Sequence, residues 1–407
     1  MSTSDHSLNA RQALLTALGL SMATAIALGF SRFSYALLLA PMRADLGWSY
    51  LLAGAMNTAN AVGYLLGALA TPFMTRRLGV QAVLWTGALT ACAFLIGPAL
   101  VQDTGLQLLL RLLSGIASAL IFITGGLLAA RLAGMHPGAA GFLIGLYYGG
   151  TGLGIILSAL LVPVVMTGAA GSGMAHVAAH PWQAAWLLLA GMSLLATLVM
   201  MRAARRIPAA PVHANGGGHF RLADFGFGLA AYLMFGVGYI GYMTFVIALL
   251  KEQGMAAGTI TLFYSLLGLA VIAASRIWAG MLDRFKGGQS LAILSALLAV
   301  ATAIPALTAA PVAIFLSGLL FGAVFLSVVA STTALVRHNL PPAAWSSGIG
   351  AFTTVFALGQ IIGPTMVGWI SDHSGTLQTG LLASALALLI GALLGWRQKP
   401  LYHGSAD

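Results

Sequence analysis

Charge is what this chain has least of. Aspartate, glutamate, lysine and arginine make up 6% of its 407 residues, where a soluble globular domain carries about a quarter. With 59% apolar residues the chain cannot clothe itself in a wetted surface, so lipid must cover most of it. Cysteine is almost missing. Cys92 stands alone inside an apolar run, which excludes an intrachain disulfide and reads as a core residue. Glutamate is confined to Glu252, so there is no H-E-x-x-H pattern. None of the three lysines follows a glycine, which removes the phosphate loop of an ATP-driven pump. All nine histidines fall outside the long apolar runs, so the Ser–His pair or metal ligands of a membrane hydrolase have no place to sit. No enzyme activity, metal or cofactor is expected. No cleavable signal peptide is expected either, because the first apolar run is too long and no A-x-A-like site follows a short one.

What is present is a series of apolar runs of bilayer length. Twelve are expected, over 13–38, 49–72, 80–101, 105–130, 139–166, 183–203, 225–249, 257–280, 289–309, 311–336, 346–370 and 377–396. Two connections are long: 167–182, Gly/Ala-rich with His176 and His180, and a polar, basic, Gly/Pro-rich stretch halfway along. The second reads as a flexible linker at 204–222 between an N-terminal six-helix bundle, 1–203, and a C-terminal one, 223–407.

The formal net charge of +10 is explained by where the charges fall. With the N-terminus in the cytoplasm, only Arg43 and Lys251 face outward, Arg32 and Arg111 lie within helices, and every other lysine and arginine faces inward. This bias sets membrane orientation and gives no sign of nucleic-acid binding. It places both termini in the cytoplasm.

The halves also match each other. At an offset of 207, Gly47 meets Gly254, Arg77 meets Arg284, Gly115 meets Gly322, Gly141 meets Gly348 and Gly152 meets Gly359. Five coincidences at one offset, with matching hydropathy, point to a duplicated six-helix unit. Two parallel repeats about an axis along the membrane normal is a transporter layout.

The motifs carry a family resemblance. AGMLDRFKGG, with Asp283 and Arg284, resembles the loop signature after helix 2 of the major facilitator superfamily; the first-half copy, TRRLG, keeps Arg76, Arg77 and Gly79 without the acid. LLLRLLSGIAS presents Arg111 and Gly115 as in the superfamily's helix 4, and GQIIGPTMVGWISDHSG is similar to its helix 11. GFSRFSYALLLAPM followed by LGWSYLLAGAMNTANAVGYLLGAL resembles the YbfB/YjiJ branch. The resemblance covers nearly the whole chain. It implies an all-α membrane protein of twelve helices in the bacterial inner membrane, alternating access, and a monomer. Arg76, Arg77, Asp283 and Arg284 would be its gating loops.

Glycines crowd two helices. Gly149, Gly150, Gly152 and Gly154 in helix 5, and Gly359 and Gly363 beside Pro364 in helix 11, suit close helix packing. Helices 2, 5, 8 and 11 would form the seam along which the halves move. The exporter-type helix 5 of the superfamily has a proline among its glycines; YYGGTGLG lacks it, which weakens drug–proton antiport.

An unpaired charge in a membrane helix costs several kcal/mol. Arg32 would lie about 13 Å from one end of helix 1, Arg111 roughly 9 Å into helix 4, and Asn57 and Asn60 about 12–17 Å along helix 2. With Tyr35 they could line one cavity. All eight acids lie in loops, tails or helix ends, so the balancing anion is the substrate. The bland alternative is that the arginines snorkel or bond to backbone carbonyls. The opposite wall would offer Tyr239, Tyr242 and Gln360 as substrate contacts. The function expected is secondary transport of a small, carboxylate-type organic anion by uniport, exchange or proton symport. The alternatives are proton-driven efflux of drugs or hydrophobic or cationic metabolites, and a non-transporting membrane sensor.

Overall fold

The computed structural model describes residues 8–171, 179–208, 220–341 and 344–401, the side chains of residues 275 and 346 excepted. Most of the expected linker, 204–222, and residues 172–178 of the 167–182 connection, with His176, lie outside the described residues. Among the described residues there is no strand. The long helices are α1 (Ala10–Leu46), α2 (Tyr50–Leu78), α3 (Val80–Leu100), α4 (Thr104–Met135), α5 (Ala140–Ala170) and α6 (Pro181–Ala204). They continue with α7 (Gly226–Glu252), α8 (Ala257–Ile277), α9 (Gln289–Leu307), α10 (Pro311–Asn339), α11 (Trp345–Ser374) and α12 (Leu377–Arg397). Eleven of these are long and apolar enough to cross a membrane; α2, with Asn57, Thr58 and Asn60 in its middle and Arg76 and Arg77 at its end, is not among the eleven. Large apolar side chains such as Leu100, Leu307 and Val312 stand exposed on the outside, as a lipid-facing surface requires.

Local chemistry sets the helix ends. Asn9 and Gln12 form a reciprocal capping box at the start of α1. Ser49 caps α2 through Leu52 N–H at 3.1 Å, and Asp103 caps α4 through Leu106 N–H at 2.8 Å. Gly47 (φ +66°) and Gly254 (φ +77°), 207 residues apart, each follow the last turn of a helix in the left-handed region, where a Cβ would be strained.

One feature is absent from the sequence expectations. Residues Ala25–Phe33 of α1 are a π-helix of nine residues. Ser34 N–H donates to Gly29 O, five residues back, at 3.0 Å, and Leu37 N–H then reaches only to Ser34 O, at 3.0 Å. The ladder loosens at this junction. The Ser31 and Phe33 carbonyls there accept from side chains, Arg111 and Tyr264, at 2.6 and 2.8 Å.

Small residues set the helix contacts. A Cβ on Gly115 of α4 would strike Asn60 O of α2, and one on Gly322 of α10 would strike Leu267 O of α8; both pairs are related by 207. Gly150 abuts Ser21 O of α1, Gly152 abuts Gly268 O of α8, and Gly154 faces Gly29 of the π segment. Gly359 and Gly363 lie against Leu233 O and Val237 O of α7, and Gly54 of α2 lies against Pro364 O of α11. Gly149 makes only ordinary contact, 3.7 Å to Ile272. The α5 glycines allow a paired test. Gly150→Ala should cost about 1–3 kcal/mol by overpacking. Gly141→Ala, where nothing lies within 4 Å, should leave the melting temperature in detergent unchanged.

Contacts α2–α11 and α5–α8 join the N-terminal and C-terminal helices. At one end the α2–α11 seam is closed: Asp372 of α11 accepts from Tyr50 N–H and Leu51 N–H, both at 2.8 Å, and Thr58 Oγ1 donates to Ile361 O at 2.8 Å. Toward the other end the two helices part around a cavity of about 310 Å³. Tyr64, Ala68, Pro72, Thr353, Thr354 and Ala357 line it. There α5 and α8 stay joined, with Arg276 lying 5.0 Å over the Phe142 ring.

Candidate functional site

The two intrahelical arginines look alike in sequence and differ in structure. Both are buried, Arg32 at 3% and Arg111 at 2% exposure. Arg111 Nη1 donates to Ser31 O and Nη2 to Asn57 Oδ1, each at 2.6 Å, and Nε to Met56 O at 3.4 Å. Its guanidinium lies 4.8 Å from the Tyr35 ring centre and 5.9 Å from that of Trp186. Asn57 Nδ2 passes the network on to Thr244 Oγ1 of α7 at 2.8 Å. Asn60 Nδ2 donates to Arg111 O at 3.2 Å, and Tyr35 Oη to Ala53 O at 2.9 Å.

Arg111, Tyr35, Asn57 and Asn60 are thus brought together, as their spacing suggests, but as a strut between α1, α2, α4 and α7. Sequence reasoning expected substrate ligands here. All three Arg111 nitrogens already have acceptors of the chain, two of them carbonyls, so the carbonyl-bonded alternative describes this conformation. Asn60 Oδ1 alone in the group has no hydrogen-bond partner among the described residues.

Arg32 is the opposite case. Its Nε and Nη2 are buried and have no acceptor among the described residues. The Tyr64 ring centre lies 5.8 Å from its Cζ, and the guanidinium interacts electrostatically with Tyr64 and Tyr239. A buried cation without an acceptor is costly. Among the described residues no acid pairs with it: Asp45 bonds His180 Nδ1 at 2.7 Å, and Asp372 caps α2.

The surroundings of Arg32 are aromatic. Tyr239 stacks on Phe235, Phe356 and Phe325 with ring centres 4.9, 5.5 and 6.1 Å away. Phe33, next to Arg32 in the chain, meets Phe325 edge-on at 5.9 Å. The Tyr239 hydroxyl donates to Gln360 Oε1 at 3.1 Å. Tyr242 is drawn away, bonded to Ser317 Oγ at 2.9 Å and stacked on Phe321 at 4.0 Å. Tyr64 both faces Arg32 and walls the open cavity. Sequence reasoning did not single it out, although it lies four residues after Asn60 and seven after Asn57 on the same helix. Phe235, Phe325 and Phe356 carried no signal, being apolar residues in apolar runs.

The loop-signature residues lie elsewhere. Arg76 Nε donates to Pro72 O at 3.2 Å and Arg77 lies 4.3 Å over Phe73, at the end of α2. Asp283 and Arg284 are exposed on the short helix Ala279–Arg284 after α8. A second cavity, about 210 Å³, lies at the closed end among Arg43, Tyr50, Lys251 and Glu252. Its mixed charges make it a poor anion trap.

Residues 24–395 match the family described as "Uncharacterised MFS-type transporter YbfB". Two curated proteins of Agrobacterium vitis, each described as "Putative tartrate transporter", are 28% identical over 152 residues and 24% identical over 159. Each match covers 36% of this chain and about a third of the relative, 33% and 34%. Among solved structures, a bacterial homologue of the human lysosomal transporter Spinster covers 97% of both chains at TM-score 0.69 and 15% identity. The nucleoside transporter NupG matches at TM-score 0.71 and 17% identity over 95% of this chain and 100% of its own. The human organic anion transporter MFSD10 matches at TM-score 0.62 and 16% identity over 97% of this chain and 100% of its own. At such identities the likeness shows the fold.

Proposed function

The chain belongs to the YbfB-type family of major facilitator transporters, an integral multi-pass membrane protein, and we propose that it carries a small organic anion by alternating access. The observation that carries the reading is Arg32, a buried guanidinium whose Nε and Nη2 lack acceptors among the described residues. Arginine keeps its proton and presents a planar fork that suits a carboxylate. The names of the Agrobacterium relatives and of MFSD10 lend support, since tartrate and organic anions need such a partner.

On this reading α2 is the twelfth span, its polar middle sheltered by α4, α7 and α11. Residues 1–203 and 223–407 form the two moving halves, joined by 204–222. The shared geometry of Gly47 and Gly254, and of Gly115 and Gly322, supports the duplication. The positive-inside bias puts both termini in the cytoplasm and the cavity beside Tyr64 on the cytoplasmic side. The seam at Asp372 then closes the outer face, in the inner membrane of a bacterium.

Efflux of hydrophobic or cationic compounds has one observation in its favour, the aromatic surface around Tyr239, but it gives Arg32 no partner. A melting-temperature panel in detergent separates the two readings, because a ligand bound only to the folded state stabilises by about 2.7 kcal/mol at a hundred times its Kd. Carboxylates should raise the transition. Stabilisation by cationic or neutral lipophilic compounds alone would overturn the anion reading.

A further inference from the structure

The walls around Arg32 restrict which anion fits. We infer that the substrate is a monocarboxylate with a flat, apolar or aromatic body, its carboxylate on Arg32 and its ring against Tyr64, Tyr239 and Phe356, and not a polyhydroxylated dicarboxylate. This rests on the anion reading and goes beyond it.

Three observations converge. The first is a count of cations. A dicarboxylate needs two charge partners, yet Arg111 is tied to Ser31 O, Asn57 Oδ1 and Met56 O, which leaves Arg32 alone. The second is a count of hydroxyls. A polyol body needs a donor or acceptor for each of its oxygens. The Tyr239 hydroxyl donates to Gln360, Tyr242 is paired with Ser317, and Tyr264 donates to Phe33 O, so the protons of these three hydroxyls are already committed to the protein.

The third is the route inward. Tyr64 stands between the open cavity and Arg32, with its ring over the guanidinium and its flank on the cavity wall. Of the residues lining this cavity, Tyr64 is the one in contact with Arg32. A flat ring can replace the Tyr64–Arg32 contact by stacking on Tyr64 while its carboxylate takes the guanidinium. A hydrated polyol would shed its water against ring faces, with only the Tyr64 and Tyr239 hydroxyls to answer its several oxygens.

The test is ligand binding to the full-length protein in detergent, by calorimetry and melting temperature. The probes are benzoate, cyclohexanecarboxylate, tartrate, benzyl alcohol and benzylamine, against the wild type, Tyr64→Phe and Tyr64→Ala. Benzoate and cyclohexanecarboxylate should bind at least about tenfold more tightly than tartrate. Tyr64→Phe should keep that preference, and Tyr64→Ala should lose about tenfold in benzoate affinity with tartrate unchanged. If Tyr64→Ala fails to fold, the probe ranking in the wild type and Tyr64→Phe still decides. Tartrate binding more tightly than benzoate would overturn the inference and leave the anion reading standing. Benzyl alcohol or benzylamine exceeding benzoate would overturn both. Wild-type protein that is folded and binds neither ring carboxylate at millimolar concentration also overturns the inference.

Discussion

Arg32→Gln should abolish carboxylate binding and transport while leaving the protein as stable as the wild type, or more so. The two effects have one cause. With ligand bound, the guanidinium forms charge-assisted hydrogen bonds worth about 1.5–3 kcal/mol each, so removing them should weaken binding by roughly ten- to a hundredfold or more. Without ligand, two of its buried nitrogens have no acceptor among the described residues, and glutamine, polar but uncharged, lowers that desolvation cost by about 1–3 kcal/mol. Arg111→Gln should do the reverse. It strands Asn57 Oδ1 and takes the guanidinium donors from Ser31 O and Met56 O, at a cost of about 3 kcal/mol or more. Melting temperatures of the ligand-free proteins, paired with uptake into proteoliposomes, separate the two arginines. Full uptake by Arg32→Gln, or a loss of stability matching that of Arg111→Gln, would make Arg32 a second strut and remove the basis for an anion substrate.

The contrast between these arginines marks where the sequence stops being informative. Helix positions were legible because apolar runs of bilayer length are hard to mistake: the run expected over 289–309 is the helix Gln289–Leu307. The glycines at the offset of 207 were legible for a related reason, since Gly47, Gly254, Gly115 and Gly322 hold positions that a side chain would strain or fill. Ends were legible only where the apolar pattern stops. The run expected over 13–38 continues to Leu46, because Pro41 sits inside the helix and the stop is at Gly47. Likewise 49–72 extends to Leu78 through Thr75, Arg76 and Arg77, polar residues that hydropathy excludes. The π segment has no pattern to read, yet it decides the site. Its junction presents the Ser31 carbonyl to Arg111 and the Phe33 carbonyl to Tyr264. Which arginine is satisfied therefore depends on backbone carbonyls of another helix, and no residue type encodes that. The aromatic wall was hidden for the same reason: Phe325 and Phe356 become a surface only when α10 and α11 bring them to Tyr239.

Replacing Asp372 should open the closed end. Its carboxylate, in the last turn of α11, accepts from the Tyr50 and Leu51 N–H groups at the start of α2, while Ser49 takes the Leu52 N–H. These N–H groups have no partner within their own helix, and the helix dipole makes them favour a negative charge. The rest of the seam is van der Waals contact of backbones at Gly54–Pro364 and Gly368–Tyr50, with one neutral hydrogen bond from Thr58 to Ile361 O. Asp372 is thus the only charge among the described residues holding α2 to α11 in this contact, and on the alternating-access reading the contact must break. Asp372→Asn keeps the shape and loses the charge. Asparagine has one acceptor oxygen where the carboxylate had two, so one of the two N–H bonds is lost and the other falls from about 1.5–3 to about 0.5–1.5 kcal/mol, which should raise the population open at that end by roughly a hundredfold or more. A cysteine placed by Thr58→Cys in a Cys92→Ala background reports that opening, because position 58 lies under the seam against α11. Its labelling by a water-soluble maleimide should accelerate by the same factor when Asp372→Asn is added. An unchanged rate would mean that the glycine seam holds this end closed without the carboxylate.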